Sequence, residues 1–280
     1  MNFNYPGLFF SNFPSSYNEA QPINNGFVAT YGALTSSYSS QSATVYLDGL
    51  LIDEESGKSD AQTVHDIYIR EFNARRIACL KGFFNIIIED RKSGETLFLS
   101  DVLCSRPWYY YHHNGKVLFS PSPVSVTHHK LPASLNTESM YSMIKFMNTI
   151  RERTLVDEIS RVKPGTGYRL SEHGKLISFP TFNFNQQLNH TLSFQDAVEW
   201  LRKQIQEAIN AVTTHPELRS LPVHLPLTGG LDSRHLLAEL IYQKQTPSLI
   251  RHINIKPDEL RAVERICKAL DLPLEAPLIQ

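Results

Sequence analysis

The sequence predicts a two-part α/β protein, and three observations carry this prediction. The chain has 280 residues, which at about 150 residues each suggests about two domains. Its N-terminal part is dominated by segments rich in aromatic and β-branched residues, such as Gly82–Glu89, which are typical of strands. After Ser193 the pattern changes to strand, helix, strand, helix, which is typical of a parallel sheet covered by helices.

Composition and charge exclude several classes of protein and partner. Hydrophobic residues make up 41% and charged residues 20% of the chain, which excludes disorder as the general state. With 27 Lys and Arg against 28 Asp and Glu, there is no overall positive field, so we expect no nucleic-acid and no membrane partner. Cys79, Cys104 and Cys267 are far apart and form no CxxC, which favours reduced thiols. With no signal peptide recognisable, we expect a cytoplasmic protein.

In the N-terminal part, residue patterns predict a series of strands interrupted by two helices. Alternating or clustered apolar residues between turn-forming residues predict the strands Gly26–Leu34, Ser42–Leu51, Gly82–Glu89, Glu95–Ser100, Lys116–Ser120 and a pair within Gly167–Phe179. A three-to-four-residue period predicts an amphipathic helix over Ser59–Phe72, with Ser59 or Asp60 as its cap. A polar helix is expected around Thr137–Thr149.

The C-terminal part begins after a polar stretch. We expect domains at residues 1–182 and 193–280, joined by a linker at 183–192 that contains NFNQQLNH. Ser193 is placed to cap a helix with one apolar face. A short strand, VHLPL, then leads through a Gly-Gly turn into a second helix, and a strand over Leu249–Ile255 leads into a helix with Pro257 in its first turn.

The segment LTGGLDS, Leu227–Ser233, is the sharpest chemical signal in the sequence. Gly229 and Gly230 let backbone N–H groups approach an anion, and the following helix directs its positive dipole end to the same spot. Thr228 and Ser233 add hydroxyl groups, whereas Asp232 would repel a phosphate unless Mg²⁺ bridged them. The alternative is a strand-to-helix turn whose glycines only ease a bend, but the combination of residues favours a phosphate site.

These residues resemble the SGGxDS loop of ATP-dependent adenylating enzymes, with Thr228 in place of the usual Ser. Upstream, the order of CLKGFFNIIIED, LFLSDVLCSRPWYYY, LFSPSPVSV and VKPGTGYRL resembles the N-terminal amidotransferase domain of the asparagine synthetase family. The resemblance implies an αββα sandwich of the Ntn-hydrolase kind, followed by a partial parallel α/β ATP-pyrophosphatase domain. It implies ATP and Mg²⁺ as cofactors, and a small-molecule carboxylate that is adenylated and then attacked by an amine.

The same resemblance assigns the ATP site to seven consecutive residues and one later residue. They are Leu227, Thr228, Gly229, Gly230, Leu231, Asp232, Ser233 and, on the strand that would present its backbone to adenine, Ile253. Asp232 is also the expected Mg²⁺ contact.

The glutaminase site departs from the family pattern. Glutaminase members use a cysteine exposed by removal of the initiator Met, whereas position 2 here is Asn2. The family's Asn-Gly of the oxyanion hole corresponds to Asp48-Gly49, and an ionised carboxylate cannot donate to an oxyanion. Asn2, Asp48, Gly49 and Asp60 therefore mark a degenerate site, with no catalytic residue intact, and we expect glutamine hydrolysis to be lost.

The second domain also departs from the family, because no GDGADE-like acidic motif follows the loop. We expect a truncated chain or one half of a split enzyme, completed by a second chain or a homo-oligomer, that alone binds ATP weakly and forms no adenylate. The predicted function is an asparagine-synthetase-like, ATP-dependent amide-forming ligase without glutaminase activity. The alternative is a non-catalytic scaffold or a fragment of such an enzyme.

Two further features have plain interpretations. Trp108–Tyr111 is an aromatic run that could stack a ligand but is expected to pack in the core. Arg151, Arg153, Arg161 and Lys163 form a mild basic cluster that is expected to be a solvated surface. The adjacent pairs His112–His113 and His128–His129 are not expected to converge on one metal, since neighbours in a strand point to opposite faces, and are expected to be surface residues.

Overall fold

The computed structural model describes residues 6–14, 20–52, 60–184, 192–216, 218–251 and 256–275, without the side chains of 126 and 127. The chain divides into two compact units, Met1–Gln186 and Gln187–Gln280. Most of the predicted linker lies outside the described residues. The first unit contains β1 (Gly7–Ser11), β2 (Gln21–Ile23), β3 (Gly26–Tyr31), β4 (Thr35–Ser39), β5 (Ala43–Leu51), α1 (Asp60–Arg70), α2 (Ala74–Ala78), β6 (Gly82–Asp90), β7 (Thr96–Ser100), β8 (Tyr109–His113), β9 (Lys116–Ser120), α3 (Ser125–His128), α4 (Thr137–Phe146), β10 (Ile159–Arg161), β11 (Thr166–Leu170) and β12 (Leu176–Pro180).

The strands of the first unit form two antiparallel sheets of six. The first has the order β10-β8-β9-β1-β3-β2 and the second has the order β12-β11-β7-β6-β5-β4. The core between them contains Phe10 from the first sheet and Tyr46, Ile87 and Phe98 from the second, and the rings of Phe10 and Phe98 meet edge to face at 4.9 Å. Because successive residues of a strand point to opposite faces, the neighbours of these residues face outward.

The outer face of the second sheet is covered by helices. Val45, Leu47, Ile86 and Ile88 pack there against α1 and α2, in a cluster that includes buried Val64, Ile67 and Ile77. On the outer face of the first sheet, Tyr111, Leu118 and Ile159 pack against Leu131. The two sheets with a helical layer confirm the predicted fold class, and the predicted strands are confirmed with shifts of one to three residues at their ends.

The second unit contains α5 (Phe194–Thr214), β13 (His224–Leu227), α6 (Leu231–Tyr242), β14 (Ser248–Arg251), α7 (Pro257–Leu270) and β15 (Leu274–Glu275). The three strands form a parallel sheet in the order β13-β14-β15. Its core contains Leu227, Leu249, Leu237 and Val263. As predicted, the Ser193 hydroxyl caps α5, accepting a hydrogen bond from the Asp196 N–H at 3.1 Å, and Pro257 lies in the first turn of α7.

Several elements escaped prediction or end early. Strands β1, β2, β4, β10 and β15 and helices α2 and α3 were not expected. Helix α4 stops at Phe146 because Met147 adopts a left-handed conformation. The apolar face of α5 was expected to favour burial, but no residue of this helix is buried. Within the described part of the chain, no helix has the length and apolar character needed to cross a membrane.

Candidate functional sites

The predicted ATP loop lies at the carboxyl edge of the parallel sheet. β13 ends at Leu227, α6 begins at Leu231, and Gly230 is the N-cap residue of the helix. Leu227 is fully buried, so only its backbone can face a ligand, whereas the side chain of Leu231 is 77% exposed. Carboxyl edges of parallel strands, followed by helix N-termini, are where α/β proteins bind ligands.

Two hydroxyl groups hold the loop closed on itself. The Thr228 N–H donates to the Ser233 hydroxyl at 3.1 Å, and the Oγ1 of Thr228 lies 3.0 Å from the Oγ of Ser233. The Gly230 N–H donates to the Thr228 hydroxyl at 3.2 Å. The hydroxyls of Thr228 and Ser233 were expected to donate to a phosphate. In the structure they form hydrogen bonds within the loop and thereby stabilise the turn.

The donors directed outward are backbone groups and arginines. The N–H groups of the first turn of α6, including those of Leu231 and Asp232, have no partner within the helix. They lie at the positive end of a 12-residue helix. The Nε of Arg234 donates to the Gly230 carbonyl at 3.0 Å, which holds its guanidinium beside the loop. Arg251 is exposed and paired in register with Leu227 across the sheet, so a second guanidinium belongs to the same edge.

One carboxylate belongs to the loop and a second lies beside it. Asp232 is exposed in the first turn of α6. Glu259, in the first turn of α7, packs so closely on Gly229 that a Cβ added there would lie 2.9 Å from its Cβ and Cγ atoms. Among the described residues, no three His, Cys, Asp or Glu side chains form a metal-binding group. An oxygen donor set of one carboxylate plus substrate phosphates still suits Mg²⁺, so Asp232 fits the expected contact.

Sequence reasoning missed Arg251 and Glu259 at this edge. Arg251 is the last residue of β14 and Glu259 lies in α7, which follows it. The parallel pairing of β13 with β14 brings them to the loop. Ile253, the expected adenine contact, lies outside the described residues.

The degenerate glutaminase site is built around a buried ion pair. Asp48 in β5 is 2% exposed, and its two oxygens accept hydrogen bonds from the Nε and Nη2 of Arg106 at 2.9 and 2.7 Å. Burial raises the pKa of Asp48, and the Arg106 guanidinium acts in the opposite direction. Both carboxylate oxygens are therefore committed to one arginine, which the sequence analysis did not identify.

Gly49 and the start of β1 complete this site. The Gly49 N–H donates to the Leu34 carbonyl at 2.8 Å. A Cβ added to Gly7 would lie 3.5 Å from a carboxylate oxygen of Asp48, so β1 begins beside the ion pair. The residue directly before β1 is Pro6, which has no nucleophilic atom. Asn2 lies outside the described residues.

Polar residues on three neighbouring strands of the second sheet lie side by side, beginning with Asp48. Asp48 is paired in register with Asn85, and Asn85 with Ser100. Asn85 is 1% exposed, and the Ser100 hydroxyl lies 3.1 Å from the Cys104 sulfur. The fourth predicted residue, Asp60, serves another contact, because its carboxylate accepts a hydrogen bond from the Leu51 N–H at 2.8 Å.

Comparison with known protein families finds a match within the first unit. Residues 51–179 match the model of a family described as glutamine amidotransferase domain, so this region is similar to glutamine amidotransferase domains. No curated protein matches the chain. The finding does not single out asparagine synthetases, and that part of the prediction remains a proposal.

Two solved structures are similar over most of this chain. One is glutamine phosphoribosylpyrophosphate amidotransferase from B. subtilis, complexed with ADP and GMP, at 13% identity with a TM-score of 0.37, covering 90% of this chain and 51% of that one. The other is the allosteric regulatory enzyme of purine biosynthesis, at 14% identity with a TM-score of 0.34, covering 88% of this chain and 47% of that one. The chain thus spans about half the length of these proteins.

Proposed function

We propose that this chain belongs to an ATP-dependent amide-forming ligase of the asparagine synthetase kind, in which the glutamine amidotransferase-like unit has lost glutamine hydrolysis. The observation that carries the proposal is the Thr228–Ser233 loop between a buried parallel strand and a helix N-terminus. A carboxylate substrate would be activated as its adenylate, pyrophosphate would leave, and an amine would attack.

Each part of the loop has a role in this proposal. The hydroxyls of Thr228 and Ser233 fix the turn, so that the first N–H groups of α6 can donate to phosphate oxygens without rearrangement. Arg234 and Arg251 add positive charge that favours the phosphates and the departing pyrophosphate. Asp232 would hold Mg²⁺, which when bound supplies charge neutralisation between carboxylate and phosphate.

The first unit supports the loss of glutaminase chemistry. An oxyanion needs donors, but Asp48 is an acceptor already bound to Arg106, and the Gly49 N–H is bound to the Leu34 carbonyl. Pro6, next to this site, offers no nucleophile. These contacts favour a unit that serves as a structural platform or as a binding unit.

The test is equilibrium binding of ATP with Mg²⁺, together with ATP–pyrophosphate exchange in the presence of aspartate or other carboxylic acids. We expect saturable binding by the wild type, at least about tenfold weaker binding by Ser233→Ala, and loss of the Mg²⁺ dependence in Asp232→Asn. His235→Ala is the control, because this residue lies on α6 beyond the loop and pairs with Glu239. Binding that Ser233→Ala leaves unchanged would contradict the proposal.

Glutamine hydrolysis is measured separately on the same preparation. Release of glutamate from glutamine above a heat-inactivated control would show that the altered Asp48 site is active. That result would overturn the platform role without affecting the ATP loop.

A further inference from the structure

A basic cleft lies at one edge of the first unit, where the two sheets meet. It is a cavity of about 530 Å³ lined by Arg151, Arg153 and Lys163, with Tyr110, Tyr168 and Phe179 among its other lining residues. An adjoining cavity of about 460 Å³ shares Arg151 and adds Arg161 and Tyr109. The four basic residues that were expected to form a cluster on the solvated surface are exposed, and they line these two adjoining cavities.

The strand pairing fixes this arrangement. β10 pairs with β8 so that Arg161 lies opposite Tyr109, with the Arg161 guanidinium over the Tyr109 ring at 6.0 Å. The Arg161 N–H donates to the Glu152 carbonyl at 2.7 Å, and the Val162 N–H donates to the Trp108 carbonyl at 2.8 Å. The loop that carries the basic residues is thus held against the sheet edge.

The charges of the cleft are not balanced by its own acids. Arg153 pairs with Glu138, whereas in the described part of the chain neither Arg151 nor Lys163 is paired with a carboxylate. Glu152 is the acidic residue among those lining the two cavities. Arg151 also has a φ of +60°, a left-handed conformation that is unfavourable for a residue other than Gly, Asn or Asp.

The rest of the lining suits a small organic molecule. Tyr168 is 6% exposed, its hydroxyl accepts a hydrogen bond from the Lys163 N–H at 3.4 Å, and its ring lies 5.0 Å from that of Tyr110. These rings give the cleft a rigid apolar wall next to its cations. A volume of about 530 Å³ lies in the usual range for small-ligand sites.

We propose that this cleft binds a small molecule bearing a phosphomonoester, with the dianion between Arg151 and Lys163 and the organic part against Tyr110 and Tyr168. An arginine fork and a lysine ammonium suit a phosphate dianion, which can accept from both at once. The site belongs to the first unit and is distinct from both the ATP loop and the Asp48 site.

The experiment uses the fluorescence of Trp108, which lines the adjoining cavity. The chain has two tryptophans, so the exposed Trp200 is replaced by Phe to leave Trp108 as the only reporter. The probe is glucose 6-phosphate, and glucose is the uncharged control. We expect a saturable change with the ester and none with glucose.

Matched variants locate the site. Arg151→Asn removes the charge while Asn tolerates the left-handed conformation, and we expect it to weaken binding at least about fivefold. Lys92→Asn removes the same charge from an exposed turn elsewhere and should change the affinity less than about twofold. Ser233→Ala, in the ATP loop, should also leave it unchanged.

Four results would overturn the proposal. The first three are an equal response to glucose, equal affinities of the Arg151→Asn and Lys92→Asn variants, and loss of the response in Ser233→Ala. Flotation with vesicles of phosphatidylcholine and phosphatidic acid, without any response to glucose 6-phosphate, would identify a lipid headgroup as the phosphate source and would also overturn it.

Discussion

Removing Arg106 should test the buried ion pair of the first unit most directly. Asp48 is almost fully buried, and the side chain of Arg106 is only 24% exposed, so solvent screens the pair weakly. Replacing Arg106 by Met leaves a buried carboxylate without its partner. Breaking a buried pair in this way costs about 3–5 kcal/mol of unfolding free energy.

The pKa of Asp48 determines how the stability loss of Arg106→Met changes with pH. Burial already raises the pKa of Asp48 above the ordinary aspartate value, and loss of the Arg106 guanidinium removes a group that lowers it. The folded variant therefore binds a proton more readily than the unfolded chain. Its deficit relative to the wild type should be largest near neutral pH and should shrink as the pH falls towards the ordinary aspartate range.

The assay is urea unfolding at several pH values, followed by Trp108 fluorescence in the Trp200→Phe background, so that the signal reports the first unit. A double variant, Asp48→Asn with Arg106→Met, removes the charge as well as its partner. We expect it to be more stable at neutral pH than Arg106→Met alone. A deficit below about 1 kcal/mol for Arg106→Met, or one that does not depend on pH, would refute the reasoning.

Three other predictions concern single contacts. Tyr68→Phe removes a 2.6 Å hydrogen bond to Asp90 and should cost about 1–2 kcal/mol at pH 7. Burial tends to raise the pKa of Asp90, but hydrogen bonds from the Tyr68 hydroxyl and from backbone N–H groups outweigh it, so that the pKa is lowered. The loss of unfolding free energy in Tyr68→Phe, measured by urea titration, should therefore become smaller at pH values below the ordinary aspartate pKa. Gly49→Ala would place a Cβ 2.0 Å from a backbone carbonyl oxygen, whereas Gly115→Ala meets nothing within 4 Å. Thermal unfolding should show the first to be far more destabilising. Burial and the neighbouring histidine lower the pKa of His129 from 6.5 to about 4, so stability should fall as the pH drops through this window, and less so in His129→Gln.

The sequence by itself determined the fold class and most elements of regular structure. Strands such as β5 and β6 were predictable because they are rich in β-branched residues and their apolar residues alternate or form continuous runs. Helix α7 was predictable because the period of its apolar residues and the Pro257 at its start are local features of the sequence. The loop proposed to bind ATP could be located in the sequence for the same reason, since all of Thr228–Ser233 is contiguous in the chain.

Only the tertiary structure decided which distant residues meet. Arg106 reaches Asp48 across 58 positions of sequence, Arg251 joins the loop through parallel strand pairing, and Arg151 and Lys163 line one cleft because β10 lies at a sheet edge. The spacing of charged residues along the sequence does not indicate which residue each one pairs with, because pairing depends on strand order and register rather than on local spacing. The same limit explains why Asp48 was predicted to be an altered oxyanion residue but was not predicted to be half of a buried ion pair.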